Sequence, residues 1–475
     1  MNGNITNKYE NNSILELSFI VNNTLSSGDA SPLTIKRTDL IDVSLSKIYL
    51  SSITDGVFVV NLGSQEGHYV FVDINSTKAQ NGTRNNPFSS VQNAIDFSSP
   101  GDTIIVAPGE YFGPFTMKDS TFLKGSGASV TELNLDFDLY FGIPVVSFNS
   151  IKHSKISGFT IHSGEVMESA SIYCDNSSPT ITENYFIAPF INADATALFC
   201  NNQSNPLLQR NTTENCKVII FNSHPNIKNN SLRSAAGGMS SLDISENSSP
   251  MVSQNTICTS MGGGAGISIF NSSPIIENNI IISQDQNGQG LYISNSDSCM
   301  VRNNIILDAN EDGIGLAIQN STNINIYNNT ISTKQSGVWS TASSGYIYNN
   351  IITNNKLFGI QTPGFSFIDY NCLWNNSTNY ENTTSGNNDI FLDPLFENIN
   401  INLFELVETS PCINAGNPSL EFNDSDKSRN DIGAYGGPYA DLDWIEYENS
   451  KLEIINDNVH LYDTIYVTIN GSNIS

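Results

Sequence analysis

Apolar residues return along the middle of this chain in a frame set by asparagine: apolar, two variable residues, asparagine, one variable residue, apolar. The asparagines are Asn184, Asn211, Asn230, Asn255, Asn279, Asn304, Asn329, Asn350 and Asn371, separated by 27, 19, 25, 24, 25, 25, 21 and 21 residues. Only Thr213, two places after Asn211, breaks the apolar rule. A repeat of this length marks a solenoid, in which each unit buries its apolar face against its neighbours. Segments such as IENNII (276–281) and IYNNII (347–352) are short, isoleucine-rich and without helical spacing, so each predicts two brief strands flanking a bend. A short amide side chain satisfies backbone groups at such a bend and tolerates left-handed dihedrals. Stacked at strand spacing, the nine amides are expected to bond one another as an internal asparagine ladder.

A second marker, Asn-Ser-Ser-Pro, occurs at 176–179, 247–250 and 271–274, with looser versions at Asn202, Asn222, Asn295 and Asn320. From each marker to the next anchor the distance is 8 or 9 residues, whereas from anchor to the following marker it varies from 11 to 18. Insertions therefore fall in one loop, the one that precedes the strand before the marker, and variable loops on a rigid scaffold are where function concentrates. Read with period two, that strand points Leu291 and Ile293 inward. The same register turns Tyr173, Asp175, Phe199, Asn201, Phe221, Asp243, Phe270, Tyr292 and Trp339 outward. Outward rings beside amides and hydroxyls suit a sugar-binding groove, because a pyranose face stacks on a ring while its hydroxyls require polar partners.

Charge narrows the choice of partner. With 20 Lys plus Arg against 47 Asp plus Glu, the formal charge is −27, which disfavours a nucleic acid or an anionic membrane surface. No segment reaches transmembrane length, and no basic stretch followed by an apolar run opens the chain, which suits a lost signal peptide or a fragment. Among seven cysteines, Cys174 and Cys200 fall at one inward position on successive coils, within reach of a disulfide, although a reduced core pair is expected. Residues 87–97 predict a short helix with Val91, Ala94, Ile95 and Phe97 on one side, a lid for the open end of the solenoid.

The run NGTRNNPFSSVQNAID followed by GDTIIVAPGEYFGPF resembles the opening of right-handed parallel β-helix proteins of the pectate lyase-like superfamily, and the Asn-anchored coils resemble their repeats. DPLF (393–396), SPCINAG (410–416) and NDSDKSRNDIGAYGGP (423–438) are similar to the closing segment of many surface β-helix proteins. The resemblance implies an all-β right-handed parallel β-helix at 66–440, with an N-terminal capping helix and a C-terminal cap at about 390–440. Residues 1–65 read as a β-rich N-terminal segment, and 441–475 as the start of an appended β-rich module.

Activity is less marked, since the superfamily spans lyases, hydrolases, esterases, epimerases and proteins without known catalysis. The outward strand positions offer Asp175 and Asp243 three coils apart, too far for a hydrolytic pair. The variable loops supply Asp285, Asp308, Glu311 and Asp312, with Arg233, Lys334 and Lys356 as loop bases, and Arg233 is placed to approach Asp243. The catalytic candidates are thus Asp243, Arg233, Asp285, Asp308 and Glu311. The substrate-binding candidates are Tyr173, Phe199, Phe221, Phe270, Tyr292 and Trp339. Asp424, Asp426, Ser428 and Asp431 have spacing that can wrap Ca2+, with an Arg429–Asp bonded cap as the competing reading. The expected protein is secreted or on the cell surface, a monomer that binds and processes or merely holds a polysaccharide. The alternative is a non-catalytic, adhesin-like or structural surface module whose rings lie under loops.

Overall fold

The computed structural model describes residues 69–441 except 78–79, 136–141, 164–169, 189–194, 235–238, 260–263, 284–287, 309–312, 334 and 398–403, together with short strands nearer both ends. The chain divides into two units, Met1–His68 with Ile445–Ser475, and Tyr69–Trp444. In the first unit, strand Ser13–Phe19 pairs antiparallel with Ile465–Asn470, which pairs in turn with Leu452–Ile454. Strand Ala30–Leu33 pairs with Gly56–Val59 in the same unit.

The second unit is a parallel β-helix. Three sheets of 13, 12 and 12 strands run its length, and each strand pairs with its counterpart one coil away. Sheet 1 extends from Tyr69–Val72 to Phe367–Asp369, sheet 2 from Gly109–Phe112 to Cys372–Trp374, and sheet 3 from Phe115–Thr116 to Thr378–Tyr380. The strands are brief because every coil turns three times, and they are rich in isoleucine because branched side chains pack well on a pleated surface. In sheet 1 the inward column runs Ile156, Ile181, Leu208, Ile227, Val252, Ile276, Val301, Ile326 and Ile347, all sealed from solvent. Each such side chain contributes about 1.5–3 kcal/mol through its removal from water. Cys174 and Cys200 are register partners in sheet 3, and both are free thiols.

At the bend between sheets 1 and 2, the anchors form a continuous column of amides. From Asn184 to Asn350, each backbone N–H donates to the Oδ1 of the next anchor at 2.9–3.1 Å, and each Nδ2 to the same oxygen at 2.9–3.2 Å. Asn371 closes the column on a carboxylate, Asp389 Oδ1. The left-handed dihedral expected at the anchor belongs instead to the residue before it, including Asn278 (φ 54°), Asn303 (φ 53°), Asn328 (φ 51°) and Asn349 (φ 58°). The single left-handed residue bends the chain there, so the first asparagine of each Asn-Asn pair points outward and the second inward.

The marker asparagines at the bend between sheets 3 and 1 are also left-handed, among them Asn176 (φ 47°) and Asn271 (φ 47°). A serine one or two places further on turns inward. Ser177, Ser204, Ser223, Ser248, Ser272, Ser296, Ser321 and Ser343 stack, each backbone N–H donating to the next Oγ at 3.0–3.2 Å. A buried donor without such a partner is costly, so the second corner has a polar spine of its own.

Helix Val91–Phe97 covers the first coil, its N-cap Ser90 accepting from Asn93 N at 3.3 Å. Val91, Ala94 and Ile95 are buried, but Phe97 is 59% exposed, with its ring centroid 5.2 Å from that of Phe88. At the other end, Ile390 pairs with Cys372, and residues 411–441 then run back along the outside of the helix as a strap. The outward asparagines hold it. Asn349 Oδ1 accepts from Asn417 N, Asn328 Nδ2 donates to Asp431 O and Gly433 O, Asn303 Nδ2 to Ala434 O and Gly436 O, and Asn278 Nδ2 to Tyr439 O. The strap covers an outward column of sheet 1 in which Glu277, Arg302, Tyr327 and Tyr348 are register neighbours.

Candidate functional site

Sheet 3 receives the loops of variable length. Where the chain enters it, Gly266, Gly290, Gly315, Gly337 and Gly359 occupy one position on five successive coils. A Cβ on any of the first four would lie 2.5–2.7 Å from the carbonyl oxygen of the next glycine, so no other residue fits that close approach. This column fixes the register with which the strand beyond it presents its side chains.

Two outward columns result. The first reads Tyr173, Phe199, Ile219, Asp243, Ser268, Tyr292, Ala317 and Trp339. The second, two residues further along each strand, reads Asp175, Asn201, Phe221, Ser245, Phe270, Ser294, Gln319 and Thr341. The six rings share this face without forming a single row. They follow the first column for two coils, cross to the second at Phe221 and Phe270, and return at Tyr292 and Trp339. Seven strand spacings separate Tyr173 from Trp339, a track of about 34 Å. Phe221 and Phe270 are exposed, while Tyr173, Phe199, Tyr292 and Trp339 are half-buried. Tyr173 and Phe199 meet edge to face at 5.6 Å, and Tyr292 donates its hydroxyl proton to Gln319 Oε1 at 3.1 Å.

Where the track changes column, the first column carries Asp243. Phe221 and Phe270 flank it diagonally, one coil before and one coil after. Its charge partner is Lys217, which sits in the outward register of Lys217–Phe221 with only 8% of its side chain exposed and its Nζ 3.7 Å from Asp243 Oδ2. Nζ also lies 3.7 Å from Met239 Sδ. Lys217 was detectable in KVIIF by the same period-two reading, but its contact with Asp243 depends on how the intervening loop closes. Arg233 does not take that place. It lies on sheet 2 within Ser231–Ser234, in register with Glu214 and Cys258, and its positive charge acts on the Cys258 thiol. Burial nevertheless pushes that thiol up.

Asp308 ends a strand of sheet 2, in register with Ser283, where a loop position was expected. Asp285 and Glu311 lie outside the described residues, as do Asp312 and Lys334. Asp175 and Asp243 are three coils apart, about 14 Å along the sheet.

The closing loop spends its carboxylates on backbone amides. Asp424 accepts from the N–H groups of Asp431 and Gly437, Asp426 from Ser428 N at 2.8 Å and Ser428 Oγ at 2.6 Å, and Asp431 from Asn414 N at 2.6 Å. Burial raises Asp424 and Asp431, whereas the Ser428 hydroxyl and amide lower Asp426. Arg429 forms no bonded cap with them. Its Nε donates to Gly416 O at 2.7 Å and its guanidinium to Ala415 O at 3.0 Å, tying the strap together through carbonyls. Among the described residues no three His, Cys, Asp or Glu side chains converge as a metal requires, Asp424, Asp426 and Asp431, the secondary Ca2+ candidates, included.

Residues 240–393 match the family described as "Right handed beta helix region". No curated protein matches the chain. Similar solved structures include the A-module of Azotobacter vinelandii mannuronan C-5 epimerase AlgE6 (13% identity over 64% of this chain and 95% of that one, TM-score 0.38). Pectate lyase Pel9A is similar at 15% identity over 77% and 96% (TM-score 0.36), and the Yersinia enterocolitica family 28 exopolygalacturonase at 10% over 72% and 80% (TM-score 0.37). The chain folds as a right-handed parallel β-helix. Nothing about its activity follows from likenesses this distant. Among the described residues no helix is long and apolar enough to cross a membrane.

Proposed function

We propose that this protein binds a polysaccharide along the outer face of sheet 3, as a secreted or cell-surface β-helix. The observation that carries this reading is the track of six rings, Tyr173, Phe199, Phe221, Phe270, Tyr292 and Trp339, set on one face among amides and hydroxyls. Rings accept the apolar faces of successive pyranoses, and Asn201, Ser245, Ser268 and Gln319 supply the small polar groups that orient their hydroxyls. A carboxylate pair about 14 Å apart is too wide for either hydrolytic geometry, so binding accounts for the outward columns better than cleavage does.

Phe221→Ala and Phe270→Ala test it. Both side chains are exposed, so their loss leaves the fold intact. Each truncation is expected to weaken glycan affinity about tenfold, measured by titration calorimetry, as removal of a stacking anchor does. Tyr346→Ala on sheet 1, where the ring is equally accessible, is expected to leave affinity unchanged. Equal losses in all three variants would assign the binding elsewhere.

A further inference from the structure

Taking the sheet 3 face as the binding surface, we infer that its ligand is an uncharged glycan, a chain of pyranoses with free hydroxyls and no uronate carboxylates. The inference rests on the reading above and adds a chemical class to it.

A uronan is held most tightly where cations face its carboxylates, as bidentate arginines or lysines along the track. The two outward columns from Tyr173 to Thr341 hold aromatic, aliphatic, amide and hydroxyl side chains together with two carboxylates, Asp175 and Asp243. The cation beside them on the same strands is Lys217, whose side chain is almost wholly buried and whose charge is directed to Asp243. Arg233, the other basic residue near Asp243 in sequence, stands on sheet 2 beside Glu214 and Cys258. The chain as a whole carries −27. A polyanion laid along this track would meet carboxylates at close range and a field of its own sign at longer range.

The same residues suit a neutral sugar. A carboxylate held by a buried lysine accepts two hydroxyl protons from one pyranose. Asp243 is placed for this between the two most exposed rings of the face, Phe221 and Phe270, so that a sugar stacked on either ring brings its hydroxyl edge over the carboxylate. Gln319, already paired with the Tyr292 hydroxyl, offers its amide nitrogen on the column next to Tyr292, Ala317 and Trp339. Neutral hydroxyls matched to amides, hydroxyls and one fixed carboxylate need no cation.

The test is calorimetric titration of the full chain with neutral hexasaccharides (gluco-, manno- and xylo-configured) and with uronic hexasaccharides (galacturonate and mannuronate), in roughly 20 mM and roughly 200 mM salt. Neutral binding whose affinity changes less than about twofold between the two salt levels, with uronic ligands at least about tenfold weaker, is the expected result. Asp175→Asn removes one surface carboxylate outside the Lys217 pair. It is expected to narrow the gap between the two ligand classes by raising uronic affinity. Uronic ligands that bind as tightly as neutral ones, or more tightly, with affinity falling steeply in salt, overturn this inference and leave the binding face standing. Binding of neither class overturns the binding face itself.

Discussion

Asn304→Ala is expected to lower the unfolding free energy by about 4 kcal/mol, among the largest effects of any single side chain in the helix. Asn304 is fully buried, and its Nδ2 donates to Ile276 O at 2.8 Å, Arg302 O at 2.8 Å and Asn329 Oδ1 at 3.0 Å. Its Oδ1 accepts from Asn279 N at 3.1 Å and Asn279 Nδ2 at 3.0 Å. Alanine leaves those two donors facing a void and removes a partner from two carbonyls, each orphaned group costing about 1–3 kcal/mol where water does not reach. Asn325→Ala, which removes only an exposed bond to Asn323 O, is the matched control and is expected to change stability by less than about 0.5 kcal/mol. Solenoids unfold locally as well as globally, so native-state hydrogen exchange at Asn279 and Asn304 is the appropriate readout beside urea unfolding. Equal small effects of the two substitutions would remove the amide column from any role in stability.

The second large effect is expected at Glu277. Its carboxylate takes Arg302 Nε at 2.7 Å and a second guanidinium nitrogen at 2.6 Å, with both side chains nearly buried. Arg302 also donates to the Tyr327 hydroxyl at 2.9 Å and lies 3.5 Å from the Tyr439 ring centroid. Glu277→Ala leaves a guanidinium buried under the strap without its counter-ion, a loss of about 3–5 kcal/mol. The strap is expected to loosen first, so limited proteolysis near Gly436 and Tyr439 should precede global unfolding. Glu277→Ala combined with Arg302→Met is expected to be less harmful than Glu277→Ala alone, because the stranded charge goes with it. A double variant worse than the single would show that the arginine stabilises through its ring contact rather than through the ion pair.

The coil geometry was readable because it is local. Ile276 and Ile281 stand at fixed distances from Asn279, and that pattern alone places two strands and the bend between them. Contacts between neighbouring coils were harder to read. Ser272 and its counterparts looked like turn residues, because nothing in Asn-Ser-Ser-Pro says which serine faces the core. The first asparagine of each pair gave no sign that it would hold a strap from a hundred residues away, since Asn303 and Gly436 share no sequence pattern. Phe97 followed the helical spacing of the lid but fell beyond the edge of the coil it covers.

The site divides in the same way. Period-two alternation put Phe221 and Asp243 on one face, but columns depend on register between coils, and register across anchor-to-marker stretches of 11 to 18 residues is invisible to spacing. The rings therefore divide between two columns where a single row was expected. For the same reason Lys217, not Arg233, meets Asp243. Arg233 precedes the loop and belongs to sheet 2, whereas Lys217 reaches Asp243 from the neighbouring coil of sheet 3.

The most direct measurement is a crystal structure of the protein with an oligosaccharide bound. The account predicts sugar rings stacked on Phe221 and Phe270, with hydroxyls on Asp243 and the chain running along sheet 3 toward Tyr292 and Trp339. Sugar on another sheet, or the sheet 3 rings sealed beneath the chain's own loops, would contradict it.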